Sequence, residues 1–432
     1  MKILILTVGT RGDVQPYVAI GHGLQAKGHE VMLCAPAAFE TFVSDYGLQF
    51  YPMPDDILKF LDSQAGRTAV EETRGIWGAF RSTVKLMGQV KPMQERIMQA
   101  CWEAAQDFQP TGLIFHSKTL CGSHIAEKLG IPAMLTLPLP AMVSTGEFPL
   151  VGMPELPEFL PTALKQSYNR GSYQFMHLGL NAYRGLIQRF RTDTLGLPKQ
   201  PQSVDFLHQS NGEPLPFLHP YSPHLLPRPT DWPPHIGVTG YAFLPPQEDW
   251  HPDEALEEFL AAGEPPLYIG FGSIGGKDPE ATARIVLQAI QRAGVRAILA
   301  TGWGGLQCPE ALIPDTVHVI QSAPHEALFP RVAAVVHHGG AGSTAAGLRA
   351  GKPTLICPFF GDQPFWGHLV HKQGLGPEPL PQKQLTVTAL TQRLQQLKHN
   401  THFLLQAQKM AQAIQSEKGV GNAVDFIEKY LS

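Results

Sequence analysis

The chain opens on an uninterrupted apolar run, "KILILT", and passes at once to a helical spacing in "DVQPYVAIGHGLQAKG". A short apolar run reads as a strand buried on both faces. Apolar positions three and four apart read as a helix with one packed face. "HEVMLCA" predicts a second strand, and "LQFYPM", "GLIF" and "PAMLTL" predict further ones. Helices fit "GAFRSTVKLMGQVKPMQERIMQACWEAAQDF" and "GSHIAEKLG", where the glycine before "IP" closes the second. Apolar strands interleaved with helices imply a parallel sheet covered on both faces.

The pattern breaks between Pro214 and Pro234, where twenty-one residues carry eight prolines. Neither a helix nor a central strand is expected to run through such a stretch. A second alternation then starts: "PLYIGF", "VRAILAT", "VHVI", "AAVVH" and "KPTLICP" read as strands. "DPEATARIVLQAIQRAG", "GSTAAGLRAG" and "DQPFWGHLVHKQG" read as helices. The expected organisation is α/β throughout: a first domain over 1–213, a proline-rich linker over 214–240 and a second domain over 241–410. A helical tail over 411–432 packs back on the first half. Two such halves leave a cleft between them.

Composition narrows the class. The 432 residues are 43% hydrophobic and 16% charged, with a formal net charge of −4. That suits a globular protein with sizeable cores and gives no basic excess for nucleic acid. Five cysteines (Cys34, Cys101, Cys121, Cys308, Cys357) are scattered and show no CxxC spacing, which points to reduced thiols and a cytoplasmic setting. No apolar run reaches the ~18 residues of a membrane helix; peripheral membrane contact stays open. No Asp-x-Asp run stands beside a strand, and none of the 18 histidines shows ligand spacing, so no metal is expected.

The candidate chemistry lies in the turns that follow strands. In "AAVVHHGGAGST" a buried strand ends at His337 and His338. Gly339, Gly340 and Gly342 then allow close backbone approach, and Ser343 and Thr344 open a helix whose free N–H groups favour an anion. "YIGFGSIGG" is a second glycine turn, with Ser273 as a phosphate donor or a plain loop residue. "PFFGDQPFWG" sets Asp362 beside Gln363. The acid accepts hydrogen bonds and the amide both donates and accepts, which suits vicinal sugar hydroxyls; a helix cap and its neighbour would look the same. The first turn, "TVGTRGDVQPY", differs because it carries an acid, Asp13, where an anionic ligand would be repelled.

These motifs, with "SAPHEALFPRVAAVVHHGGAGSTAAGLRAGKP" in the same order along nearly the whole chain, resemble those of nucleotide-sugar glycosyltransferases. The resemblance is to family one, of the two-domain GT-B fold. The sterol 3-β-glucosyltransferases are the most similar branch and the glycopeptide-antibiotic glucosyltransferases are relatives. It implies two Rossmann-like parallel-sheet domains facing each other across a cleft. It further implies that His338 and Ser343 bind the donor diphosphate with the turn amides, Thr344 and Ser273, while Asp362 and Gln363 hold the hexose. Ser322, Pro324 and His325 fall where the family reads the nucleobase. Plant members have a tryptophan at the position of Ser322, so Trp303 becomes the candidate for stacking on the base, or else a core residue. They also have a ribose-binding glutamate where Ala346 stands. The donor implied is UDP-glucose, with a dTDP-sugar as the alternative.

Many relatives place a histidine three residues before the proline of the first turn, and here that slot holds Asp13. The resemblance makes Asp13 the general base for the acceptor hydroxyl in an inverting, metal-independent transfer. Desolvation in a closed cleft is expected to raise its proton affinity. Capping of a helix that begins near Val14 is the alternative role and is compatible with the first. Arg11 either aims the carboxylate or points to solvent. The acceptor, a lipophilic alcohol such as a sterol, is expected in the first half. The apolar "PLPAMVSTGEFPLVGMPELPEFLP" would form its wall or a domain-contact loop. The segment Trp77 to Phe108 borders it or is a core helix, and His116 and His124 touch it or serve structure. The other readings are a phenolic or macrocyclic acceptor, a sugar-nucleotide epimerase or hydrolase, and a transferase-like binding protein without chemistry.

Overall fold

The computed structural model describes residues 1–63, 75–200, 206–209, 211–245, 250–272, 278–302 and 306–432. The chain divides into two compact units. The first comprises Met1–Phe60, Glu72–Leu244 and Lys418–Ser432, and the second is built on Pro245–Glu417.

The first unit holds a seven-stranded parallel sheet of β1 (Lys2–Leu6), β2 (Glu30–Pro36), β3 (Gln49–Met53), β4 (Gly112–His116), β5 (Ala133–Thr136), β6 (Phe217–His219) and β7 (Ile236–Val238). Their order across the sheet is β3-β2-β1-β4-β5-β6-β7. Ile3 of β1 pairs with Val31 on one side and Gly112 on the other. The strand is fully enclosed, which is why "KILIL" carries no polar alternation. Helix α1 (Arg11–Ala26) lays Val18, Ile20 and Leu24 against Ile3, Ile5, Val31 and Leu33. Burying one such side chain contributes about 1.5–3 kcal/mol. Helix α2 (Gly75–Phe108) buries Ile97, Met98, Cys101, Ala104, Ala105 and Phe108, as a core helix does. Helix α3 (Gly122–Leu129) follows β4.

The second unit holds a five-stranded parallel sheet of β8 (Leu267–Gly270), β9 (Ala297–Ala300), β10 (Val317–Ile320), β11 (Ala334–His337) and β12 (Thr354–Ile356), in the order β10-β9-β8-β11-β12. Helix α4 (Pro279–Ala293) starts where Asp278 accepts the N–H of Ala281 at 2.8 Å, with proline in the first turn. Its Val286, Leu287 and Ile290 pack with Ile269, Leu299, Val336 and Leu355. Helices α5 (Ala341–Arg349) and α6 (Gln363–Lys372) follow β11 and β12.

Two boundaries differ from the sequence expectation. The proline-rich stretch supplies β6 to the first sheet, and the first unit runs on to Leu244. Phe217–His219 is proline-free and long enough for a short ladder. Pro216, though it has no N–H to give, still accepts the N–H of Leu135 at 3.0 Å. At the other end, the helix Thr401–Ser416 belongs to the second unit, and the chain crosses over at Lys418. Helix α7 (Gly419–Leu431) then adds Ala423, Val424, Ile427 and Leu431 to the first unit's core.

The apolar stretch after β5 also lies in the first unit. Leu137, Ala141, Met142, Val143 and Phe148 are buried. Asp231 ties this stretch to the proline-rich one, accepting from Thr145 Oγ1 at 2.6 Å and from the Gly146 N–H at 2.8 Å.

Candidate active site

In open α/β sheets ligands collect beyond the carboxyl ends of the strands, where the strand order reverses. The first sheet reverses between β1 and β4, and the second between β8 and β11. Asp13 and His116 fall at the first of these places, and His338, Gly340, Gly342, Ser343 and Thr344 at the second.

At the first reversal, α1 begins at Arg11, so Asp13 is the third helical residue. Its Oδ2 accepts the backbone N–H of Thr10 at 2.9 Å, which caps the helix. Its Oδ1 turns toward β4, where it accepts from Lys118 Nζ at 2.7 Å and faces His116 Nε2 at 3.4 Å. Gly9 makes room for this: a Cβ added there would collide with the Asp13 carboxylate, and its φ of +137° is one that side-chain-bearing residues rarely adopt. His116 is buried, and its Nδ1 accepts the N–H of Lys118 at 2.9 Å, which leaves the ring proton on Nε2, facing Asp13. Burial keeps His116 below the ordinary histidine range, although Asp13 pulls the other way.

The expectation that Asp13 has a raised proton affinity is corrected here. Burial pushes its carboxyl up, but the Lys118 ammonium and the His116 ring together outweigh this and hold it well below the usual range. Arg11 has no part in aiming it. That side chain donates to Gln15 Oε1 at 3.0 Å and stacks over Phe42. His124 lies apart, in a buried network with Arg191, which also forms a two-pronged pair with Glu127. Lys118 escaped the sequence reading although it stands in the same "FHSKTLCG" run. Its signal is topological: β4 neighbours β1, so the turns after the two strands meet.

At the second reversal, His338 follows β11 directly. Its ring packs on two glycines: a Cβ at Gly272 would lie 3.0 Å from its Cε1, and one at Gly340 2.7 Å from its Nε2. Burial first, and His325 second, push its pKa down to about 4, so it is neutral at pH 7. Among the described residues, its buried Nδ1 has no hydrogen-bond partner. Gly340 is the N-cap of α5, and among the described residues no side chain caps it, so Ala341, Gly342 and Ser343 form its first turn with their N–H groups left to a ligand or solvent. Thr344 departs from the expected role. The helix starts at Ala341, two residues before Ser343, so Thr344 is buried and its hydroxyl donates to the Gly340 carbonyl at 3.0 Å.

Gln363 also differs from expectation. Its Oε1 accepts the N–H groups of Phe359 and Phe360 at 2.7 and 3.2 Å, so its acceptor is spent on the loop and only the amide NH2 remains to donate. Asp362 occupies the N-cap position of α6 without capping it. Its Oδ2 accepts from Trp366 Nε1 at 2.7 Å. The α5 turn and the start of α6 touch, since a Cβ at Gly339 would lie 3.1 Å from the Gln363 carbonyl. Pro324 caps the short helix that His325 opens. The His325 ring stacks on Phe329, with centroids 4.3 Å apart, while Ser322 is exposed after β10. Ala346 is buried beside Tyr268 and Phe329, so the position that holds a glutamate in plant members faces core here. Ser273 and Trp303 lie outside the described residues.

Comparison with known proteins places the chain in a family. Residues 3–145 match the glycosyltransferase family 28 N-terminal domain, and residues 305–425 match the erythromycin biosynthesis protein CIII-like C-terminal domain. Two sterol 3-beta-glucosyltransferases of Arabidopsis thaliana are 38% and 36% identical over 451 and 447 residues. The match takes in 100% of this chain but 66% and 68% of those longer proteins. Among solved structures, the glycosyltransferase of kitacinnamycin aligns at a TM-score of 0.72 and 16% identity, covering 100% of this chain and 99% of that one. The paired parallel sheets, the turns at their reversal points and these likenesses together show that the chain belongs to the sterol 3-beta-glucosyltransferase family of GT-B glycosyltransferases.

Proposed function

We propose that the protein transfers glucose from UDP-glucose to the hydroxyl of a sterol or similar lipophilic alcohol, with inversion at the anomeric carbon. One observation carries this reading. The first reversal point holds an acid whose capping duty occupies one oxygen, while the other faces the neighbouring strand's turn and the side chain stays 18% exposed. In the transfer, the acceptor oxygen bonds to the anomeric carbon as the bond to the diphosphate oxygen breaks, and the acceptor proton passes to Asp13. A positioned base of this kind contributes roughly 10²–10⁴-fold. The uncapped first turn of α5, with Ser343, receives the charge that develops on the diphosphate. Asp362 and the Gln363 amide hold the hexose, and His325 lies on the nucleobase side. This reading gives no step to a metal ion.

A lipophilic acceptor also suits peripheral contact with a membrane. Phe159, Leu164, Phe175 and Leu178 are exposed on or beside the consecutive helices Thr162–Ser172 and Gln174–Asn181, and among the described residues no helix is long and apolar enough to cross a bilayer. The test is incubation with UDP-glucose or dTDP-glucose and a panel of sterols, phenols and hydroxylated macrocycles. Mass spectrometry is expected to find one hexose added to a sterol. Free glucose released equally with and without any acceptor would overturn the transferase reading in favour of hydrolysis.

A further inference from the structure

A carboxylate that is to take a proton from an alcohol must offer it an open lone pair. Oδ2 of Asp13 is committed to the Thr10 N–H, and Oδ1 is covered by Lys118 Nζ at 2.7 Å and approached by His116 Nε2 at 3.4 Å. Of these partners, the backbone N–H is fixed by the helix start, and His116 is buried and held by the Lys118 N–H. The ammonium of Lys118 is different. It sits on a flexible four-carbon stem with its side chain 49% exposed, so it can leave without unfolding anything.

We propose that Lys118 is a positioning residue that covers the base between turnovers: its ammonium occupies the place on Asp13 Oδ1 that the acceptor hydroxyl must take, swings out as the alcohol docks, and returns after transfer. This rests on Asp13 being the base. The proton that Asp13 takes from the alcohol is released to water. The returning cation promotes that release, because an ammonium beside a carboxyl favours its charged form. With Lys118 out, burial acts on the carboxyl without its strongest opponent, and the proton affinity rises when the alcohol is in place.

The other groups around Asp13 do not duplicate this role. His116 is kept neutral by burial. Tyr17, on α1, has its ring 6.0 Å from that of His116 and its hydroxyl committed to the Thr136 carbonyl at 2.6 Å. Thr7 and Thr10 carry no charge, and Arg11 is turned onto Gln15 and Phe42. Among the described residues, Lys118 is the one cation on Asp13.

The experiment is the pH profile of kcat/KM with UDP-glucose and cholesterol, or the best acceptor of the panel, for the parent, Lys118→Met, Lys118→Gln and Lys118→Arg, with Asp13→Asn alongside. Removing the cation is expected to move the acidic limb up by about 1–3 pH units, the range an adjacent opposite charge produces. Arginine is expected to restore the parent limb. If Lys118→Met and Lys118→Gln keep the parent's acidic limb while Asp13→Asn is inactive, the covering role is wrong and the base assignment stands. If Asp13→Asn transfers as the parent does, the base assignment falls and this inference falls with it.

Discussion

The two sheets are wound alike over their first five strands, yet their reversal points carry opposite chemistry. After β1 the chain places an acid in the first turn of α1, and that acid satisfies the helix start itself through the Thr10 N–H. After β11 it places glycine and serine in the first turn of α5, and among the described residues no side chain serves that helix start. A helix N-terminus carries roughly half a positive charge. The first one is already answered from within by the Asp13 carboxylate, so it has no call on an anionic ligand. The second has no such answer among the described residues, which is the arrangement the proposed diphosphate site requires. On the proposed reading, the residue at the third helical position, Asp13 in one turn and Ser343 in the other, separates a turn for a proton from a turn for a diphosphate.

The largest effect should come from removing the acid. Asp13→Asn is expected to lower kcat by roughly 10²–10⁴-fold while leaving UDP affinity unchanged by calorimetry. A fall in UDP affinity of the same size would erase the difference between the two turns. Next come the glycines that make room for each reactive side chain. Gly9→Ala should displace the Asp13 carboxylate and appear in kcat. Gly340→Ala should press on the His338 ring and appear in donor affinity, weakened roughly 10–100-fold for an overpacking cost of about 1–3 kcal/mol. Equal effects of both substitutions on both parameters would show that the turns are not separate sites.

The smallest effect is a proton count. His338 is neutral at pH 7 with its pKa pushed down to about 4, and a diphosphate beside the ring would raise that value. UDP binding should therefore take up a fraction of a proton, and the fraction should grow as pH falls from 7 toward 5. Titration calorimetry in buffers of different ionisation enthalpy measures it. His338→Gln should abolish the uptake; parent protein showing none would remove His338 from the diphosphate site.

Much of this was legible in the sequence wherever burial was complete. The strands β1 and β11 are enclosed on both faces and so are written as unbroken apolar runs. What was not legible depends on pairings that local pattern does not record. β6 was hidden because its flanking prolines signal a linker, although a proline carbonyl still serves a ladder. The exact start of α5 decided whether Thr344 faces a ligand or its own helix, and the loop after β12 decided that the Gln363 oxygen is taken. The Lys118 contact needed the strand order, since Asp13 and Lys118 stand 105 positions apart. The candidate side chains could be named from the sequence, but the partners that set their charge could not.

The return of α7 to the first unit makes that unit discontinuous along the chain. The layer that closes over Ile3, Val18 and Ile20 arrives only with Val424 and Ile427, after the whole second unit has intervened. During synthesis, then, the first unit lacks this layer of its core until α7 emerges, whereas Pro245–Glu417 of the second unit has been made by then.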